Sequence, residues 1–179
     1  DPGVVPKNAH PVKRGKGSKK GKIVMCGHCD AYKPPFPHHD SVSKRCISRM
    51  DHFCPWLNNA IGAKNQKNFL LFLIYANIAS VYAYAVLTYH LLSFEGGDDF
   101  SQPGLTMARV LIFVLLLAIL FTGAMIYNQC FGIISGLGQI DRMKERKDYQ
   151  EIKPIKWSNV FGDFGWSWFL PLEPSFSNP

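Results

Sequence analysis

Arg49-Met50-Asp51-His52-Phe53-Cys54-Pro55-Trp56 stands shortly before Phe69, from which the chain carries no Asp, Glu, Lys or Arg through Leu92. A carboxylate, an imidazole and a thiol thus fall within four residues at what reads as a membrane boundary. These are the parts that make a cysteine nucleophilic. The thiolate reacts and the thiol largely does not, and a free thiol with a pKa near ~8.5 is only slightly ionised at neutral pH. A neighbouring histidine can take the proton, and an aspartate on its other ring nitrogen fixes the tautomer. The competing reading makes Asp51 and His52 surface polar groups and Cys54 a small buried apolar residue, so the surroundings must decide.

Upstream lies Cys26-x2-Cys29-x9-His39-x6-Cys46, the ligand types and number of a tetrahedral structural zinc site. The alternative is a set of unrelated free cysteines in a reducing compartment. His28 and His38 compete with His39 for the fourth position.

Downstream, residues 69–92 and 110–134 contain no Asp, Glu, Lys or Arg. At ~1.5 Å per residue each run can cross a ~30 Å hydrocarbon core with some tilt. Thirteen of the 20 basic residues precede Phe69, Arg109 alone lies between the runs, and the remaining six follow Ile134. Both ends therefore face the cytosol, and the loop with Glu95, Asp98 and Asp99 is lumenal or extracellular. The cysteine cluster on that side of a membrane suits thiolate chemistry and metal binding better than disulfides, and the fifth cysteine, Cys130, falls within the second run as a packing residue. The Lys-rich segment 7–22 reads as a solvated linker that can also lie on anionic lipid. It has no interleaved aromatic residues, which argues against nucleic acid as a partner.

Residues 26–69 resemble the cysteine-rich domain of the DHHC-type protein S-acyltransferases, the palmitoyltransferases. The resemblance is carried by Cys26, Cys29, Lys33-Pro34-Pro35, His39, Cys46, Arg49-Met50-Asp51-His52, Cys54-Pro55-Trp56, Asn58-Asn59, Gly62, Asn65 and Phe69. Asp1-Pro2-Gly3 is similar to the motif that follows the family's second transmembrane helix, and Asn159-Val160-Phe161-Gly162 with Trp168-Phe169-Leu170-Pro171 is similar to its C-terminal segment. The resemblance implies four transmembrane helices in the whole protein, two of them preceding this sequence.

The departures cluster. The family holds two structural zinc ions on interleaved ligands. Here Asp40, Ser43, Phe53 and Ala60 stand where the resemblance implies the second site, while the first set and the Asp51, His52, Cys54 trio are intact. Such a pattern reads as loss of one metal with the chemistry kept, Phe53 packing where an ion once sat. The family's Thr-Thr-x-Glu motif has its nearest match in Gly138-Gln139-Ile140-Asp141, which keeps an acid but has no threonine to bond near the aspartate; Gln139 is the candidate substitute. Phe36 lies where the family often has a basic residue.

The expectation is therefore an all-α integral membrane protein with a small, zinc-bound, loop-rich cytosolic cysteine-rich domain. Its parts are a basic linker (1–24), the cysteine-rich catalytic domain (25–68), a transmembrane helix (69–92), a lumenal or extracellular loop (93–109), a second transmembrane helix (110–134) and a cytosolic C-terminal segment (135–179). What the resemblance implies is S-acyl transfer from a long-chain acyl-CoA such as palmitoyl-CoA to cysteines of membrane-associated proteins, in the endomembrane system (Golgi or ER) or plasma membrane. Cys54 is the expected nucleophile, His52 its base and Asp51 the orienting acid. Cys26, Cys29, His39 and Cys46 hold one structural zinc, Trp56 and Phe69 line the acyl cavity, and Lys33 and His38 meet CoA phosphate. The alternative is a catalytically silent zinc-binding membrane scaffold for client proteins. Membrane lipids are partners in either case.

Overall fold

The computed structural model describes residues 1–9, 25–33, 37–93, 102–143 and 154–176. Most of the basic linker, Pro34, Pro35 and Phe36, the acidic loop residues 95, 98 and 99, and residues 144–153 lie outside the described residues. Two compact units are present, one built from Asp1–Phe69 and Gly132–Pro179, the other from Leu70–Phe131.

Among the described residues of the first unit, the expected loop-rich domain forms three two-stranded antiparallel ribbons. β1 (Met25–Cys26) pairs with β2 (Ala31–Tyr32), β3 (His38–Asp40) with β4 (Arg45–Ile47), and β5 (His52–Cys54) with β6 (Asn59–Ile61). Each ribbon is closed by a left-handed residue near its turn, Asp30, Lys44 and Asn58 in order, as tight reversals demand. The Asp30 N–H donates to the Cys26 carbonyl at 2.8 Å, so the x2 spacing of Cys26 and Cys29 wraps both thiols around one turn.

Asp1-Pro2-Gly3 belongs to this unit. Asp1 Oδ1 accepts the Gly3 and Val4 N–H groups at 2.9 and 3.2 Å, and Val4 then bridges Ile47 on β4. Gly62 is fixed by crowding: a Cβ there would strike the Pro2 carbonyl, the Ile47 side chain and the Ser48 carbonyl. Only glycine lets these three backbone segments meet. Asn65 then joins β6 to the next helix, accepting the Gly62 N–H at 2.8 Å and donating to the Ala60 carbonyl at 2.9 Å.

α1 (Gln66–Ser93) and α2 (Gln102–Ser135) are the two apolar helices, both long and apolar enough to cross a membrane. They outrun the charge-free segments, α2 by eight residues at its start. Lack of charge measures what a lipid interior tolerates, whereas a helix continues through Arg109 and begins where Pro103 has no N–H to lose. Within the second unit Asn77 Nδ2 donates to the Ile119 carbonyl at 3.0 Å and the Thr122 hydroxyl at 2.8 Å, beside Gly123. Small and polar residues of this kind are what holds helices together where no hydrophobic effect can. Large apolar side chains such as Phe72, Ile78, Leu120 and Phe121 point outward. That surface suits lipid and not water.

After α2 the first unit resumes with α3 (Gln139–Met143) and α4 (Ser158–Phe161).

Candidate functional site

Strand alternation arranges the trio. His52 and Cys54 are two residues apart on β5 and share a face, while Phe53 between them turns to the other. That other face is the core: Phe53 packs with Val4 and Ile140 on a buried cluster of Ile47, Met50 and Ala60, and Ala60 is its cross-strand partner. Two of the second-site replacements thus meet directly in an apolar contact. The other two lie on the β3–β4 turn, where the Asp40 carboxylate accepts the Val42 and Ser43 N–H groups at 3.2 and 2.9 Å. Burial works against the Asp40 carboxylate, yet these bonds from Ser43 and Val42 hold its pKa below the usual value. A turn closed by a side chain and a small apolar cluster occupy the positions at which the family resemblance implies a second metal site, the one the sequence reads as lost.

Asp51 is buried at 5% exposure. Its Oδ2 is 2.9 Å from His52 Nδ1, and its Oδ1 accepts the Gln139 backbone N–H at 2.7 Å. The carboxylate is therefore gripped on both oxygens, and the bond to Asp51 engages His52 through Nδ1. The ring of Phe69 meets the His52 ring edge-on at 5.2 Å between centroids. Cys54 itself is buried.

The missing threonine is thus replaced by main chain at the first residue of α3. Gly138 permits the approach, since even a Cβ there would come within 3.3 Å of the Met50 carbonyl and 3.7 Å of Asp51 Oδ1. Asp141, one turn on, reaches His38 Nε2 with its Oδ1 at 2.7 Å, and both residues are buried. His38 was expected at CoA phosphate. At 3% exposure and paired with a carboxylate, it is turned into the protein, away from any dissolved anion. Lys33 is partly buried and Trp56, at 86% exposure, projects outward.

Cys26, Cys29, His39 and Cys46 bring one ligand atom each to within 4.8 Å of one another. His39 Nδ1 lies 3.2 Å from Cys29 Sγ and 3.7 Å from Cys26 Sγ, and the Cys29 and Cys46 sulfurs are 3.7 Å apart. Ligands at ~2.3 Å from one tetrahedral ion would have their sulfurs ~3.8 Å apart, so the set fits such an ion. His39 and Cys46 are cross-strand neighbours, which is how a ribbon supplies half the set. Burial, then the sulfurs of Cys26 and Cys29, push the Cys46 thiol up to about 12. Cys26 is lowered despite its burial, chiefly by the backbone N–H groups of Cys29 and His28. Burial, with His28 and Lys44 nearby, lowers His39 and keeps its imidazole neutral, the form that ligates. Of the competing histidines, His28 stacks on the His39 ring at 4.7 Å and His38 is taken by Asp141.

A metal-ready cysteine-rich domain, an oriented Asp-His pair on the strand that bears a thiol, and two apolar helices together define a membrane-associated protein of the thiol-bearing, cysteine-rich class. Residues 19–146 match the DHHC palmitoyltransferase family, and the chain belongs to it. It is 35% identical to the palmitoyltransferase ZDHHC3 of Rattus norvegicus over 189 residues, covering 100% of this chain and 62% of that protein. Its identity to the palmitoyltransferase ZDHHC7 of Mus musculus is 36%, covering 92% and 56% of the two chains. To the probable protein S-acyltransferase 13 of Arabidopsis thaliana it is 32%, covering 96% and 64%. The chain thus spans about three fifths of the length of the curated relatives it matches.

Proposed function

We propose that this chain carries the catalytic centre of a membrane-bound protein S-palmitoyltransferase. The observation that carries the reading is the two-sided grip on Asp51, from His52 Nδ1 and the Gln139 N–H, which holds the imidazole two residues from Cys54 on the same strand. His52 Nε2 takes the Cys54 proton, and the thiolate attacks the thioester carbonyl of a long-chain acyl-CoA. The carbonyl–sulfur bond to CoA breaks, a new one to Cys54 forms, and the CoA thiolate recovers a proton from His52. A cysteine thiol of a membrane-associated protein then takes the acyl group in a second exchange of the same kind. One thioester replaces another in each step, so neither ATP nor a redox partner is required.

Cys26, Cys29, His39 and Cys46 would hold one zinc ion as a structural clamp. Zinc modules of this size gain ~10–16 kcal/mol of apparent binding energy, enough to hold short ribbons that bury little. Trp56 and Phe69 flank the acyl chain, and Lys33 is the basic contact for CoA. The catalytic domain faces the cytosol, at an endomembrane or plasma membrane.

Purified full-length protein incubated with labelled palmitoyl-CoA tests this. Label sensitive to hydroxylamine is expected on Cys54, absent in Cys54→Ser, and ~100- to 10,000-fold slower to form in His52→Ala. Folded, zinc-loaded protein that takes no label above the Cys54→Ser background would instead be a membrane scaffold.

A further inference from the structure

The chain beyond α4 closes on itself. Gly162 has φ 79°, and a Cβ there would fall on the Ser175 carbonyl; the next residue, Asp163, donates its N–H to that same oxygen at 2.8 Å. Inside the closed segment Trp168 is the peg. Its Nε1–H reaches the carbonyls of Gly162 and Asp163 at 3.2 and 2.9 Å, and its ring lies 5.1 Å from those of Phe161 and Phe164. Residues 162–175 are therefore a surface loop whose ends meet and whose shape is set by its own groups.

Two bonds tie this part of the chain to the turns through which the first unit runs into the apolar helices. Lys67 Nζ, in the first turn of α1, donates to the Leu172 carbonyl at 2.8 Å. The Ile155 N–H, ahead of α4, donates to the Ile133 carbonyl in the last turn of α2 at 3.1 Å. On its outer side the loop presents Phe164 at 82% exposure and Trp166 at 85%, with Leu170 and Leu172 also exposed. The loop's closure uses Trp168 and main chain; of the outward side chains Phe164 lays one side of its ring against Trp168 and leaves the rest uncovered. Tryptophan beside phenylalanine and leucine is what a bilayer interface accommodates, the ring in the apolar zone and the indole N–H near the headgroups.

We propose that the loop 162–175 is an interfacial anchor that lays Phe164 and Trp166 into the headgroup region of the bilayer crossed by α1 and α2. The inference rests on those two helices spanning a membrane. Lipid is the occupant because the loop is bonded through Leu172 to the first turn of α1, and the chain leading into it through Ile155 to the last turn of α2, whether or not a client protein is present. Anchoring there would hold the first unit against the membrane, where an acyl donor and a lipid-embedded client meet.

The test uses full-length protein in phosphatidylcholine/phosphatidylserine nanodiscs. Trp166 fluorescence is taken as the difference between wild type and Trp166→Phe, and Phe164→Trp supplies a second reporter through the signal it adds. Lipids brominated high on the acyl chain are expected to quench both reporters about twofold or more, while aqueous iodide leaves them unchanged. Iodide quenching with no bromolipid effect would overturn the proposal, because the loop then faces water. Insensitivity to both quenchers would overturn it equally, because protein then covers the loop. Retention of the chain in membranes under alkaline carbonate tests the spans separately, so failure of the anchor is distinguishable from failure of the spans.

Discussion

An imidazole one residue from a carboxylate and two from a thiol is useful only if its ring is held, and at His52 the hold is applied through Asp51. The relevant donor is a backbone amide, Gln139 N–H at 2.7 Å, where the family resemblance led to the expectation of a side chain. Residue identity cannot reveal such a donor, because every non-proline residue carries one. The sequence did carry one clue: Gly138 beside it, small enough to let α3 approach Asp51. Gln139 is the first residue of α3, a position where proline is accommodated and only the N–H is lost. Gln139→Pro should therefore keep zinc and fold but slow Cys54 acylation. A hydrogen bond to a buried charge contributes ~1.5–3 kcal/mol, so the expected loss is roughly tenfold to a hundredfold in single-turnover rate. An unchanged rate would show that this amide does not position Asp51.

The ribbons were the least legible elements, and their size explains why. Strands of two or three residues are too short for alternation to rise above noise, and the turns that close them use Asp30, Lys44 and Asn58 in place of glycine. The apolar helices were legible because lipid forbids charge over ~20 residues, a signal that only a membrane imposes. The pairing of His38 with Asp141, 103 residues apart, leaves no local trace at all. The Cys/His cluster and the apolar half of the ribbon domain differ by substitutions that can be read together. Phe53 faces Ala60 across β5–β6, and Asp40 and Ser43 flank one tight turn. Elemental analysis of the native protein should find one zinc per chain. The combined variant Asp40→Cys, Ser43→Cys, Phe53→His, Ala60→Cys should bind two; a count still at one would mean that the backbone has drifted from ligand geometry. Phe53→Ala alone opens a cavity in the Ile47, Met50 and Ala60 cluster and should destabilise the first unit by ~2–4 kcal/mol, measured by denaturant titration.

The two units rest on different physics, and this divides how the whole molecule should fail. The ribbons bury few apolar side chains and have short ladders, so under the proposed reading their order would depend on a metal held by Cys26, Cys29, His39 and Cys46. α1 and α2 satisfy their backbone groups internally and need no metal to do so in lipid. Cys46→Ser removes one ligand from β4 and should leave the first unit open to protease, with zinc lost and acylation abolished. Cys54→Ser removes a thiol outside that set and should leave zinc content and protease resistance at wild-type levels while acylation is lost. In both variants the helical circular dichroism of the membrane part should persist. Limited proteolysis in nanodiscs, read beside zinc content and helicity, separates these outcomes. Equal protease sensitivity of Cys46→Ser and Cys54→Ser would mean that the structural and reactive thiols are not divided as their geometry implies. Loss of helicity in Cys46→Ser would mean that the apolar helices depend on the clamp, so that the two units fold as one.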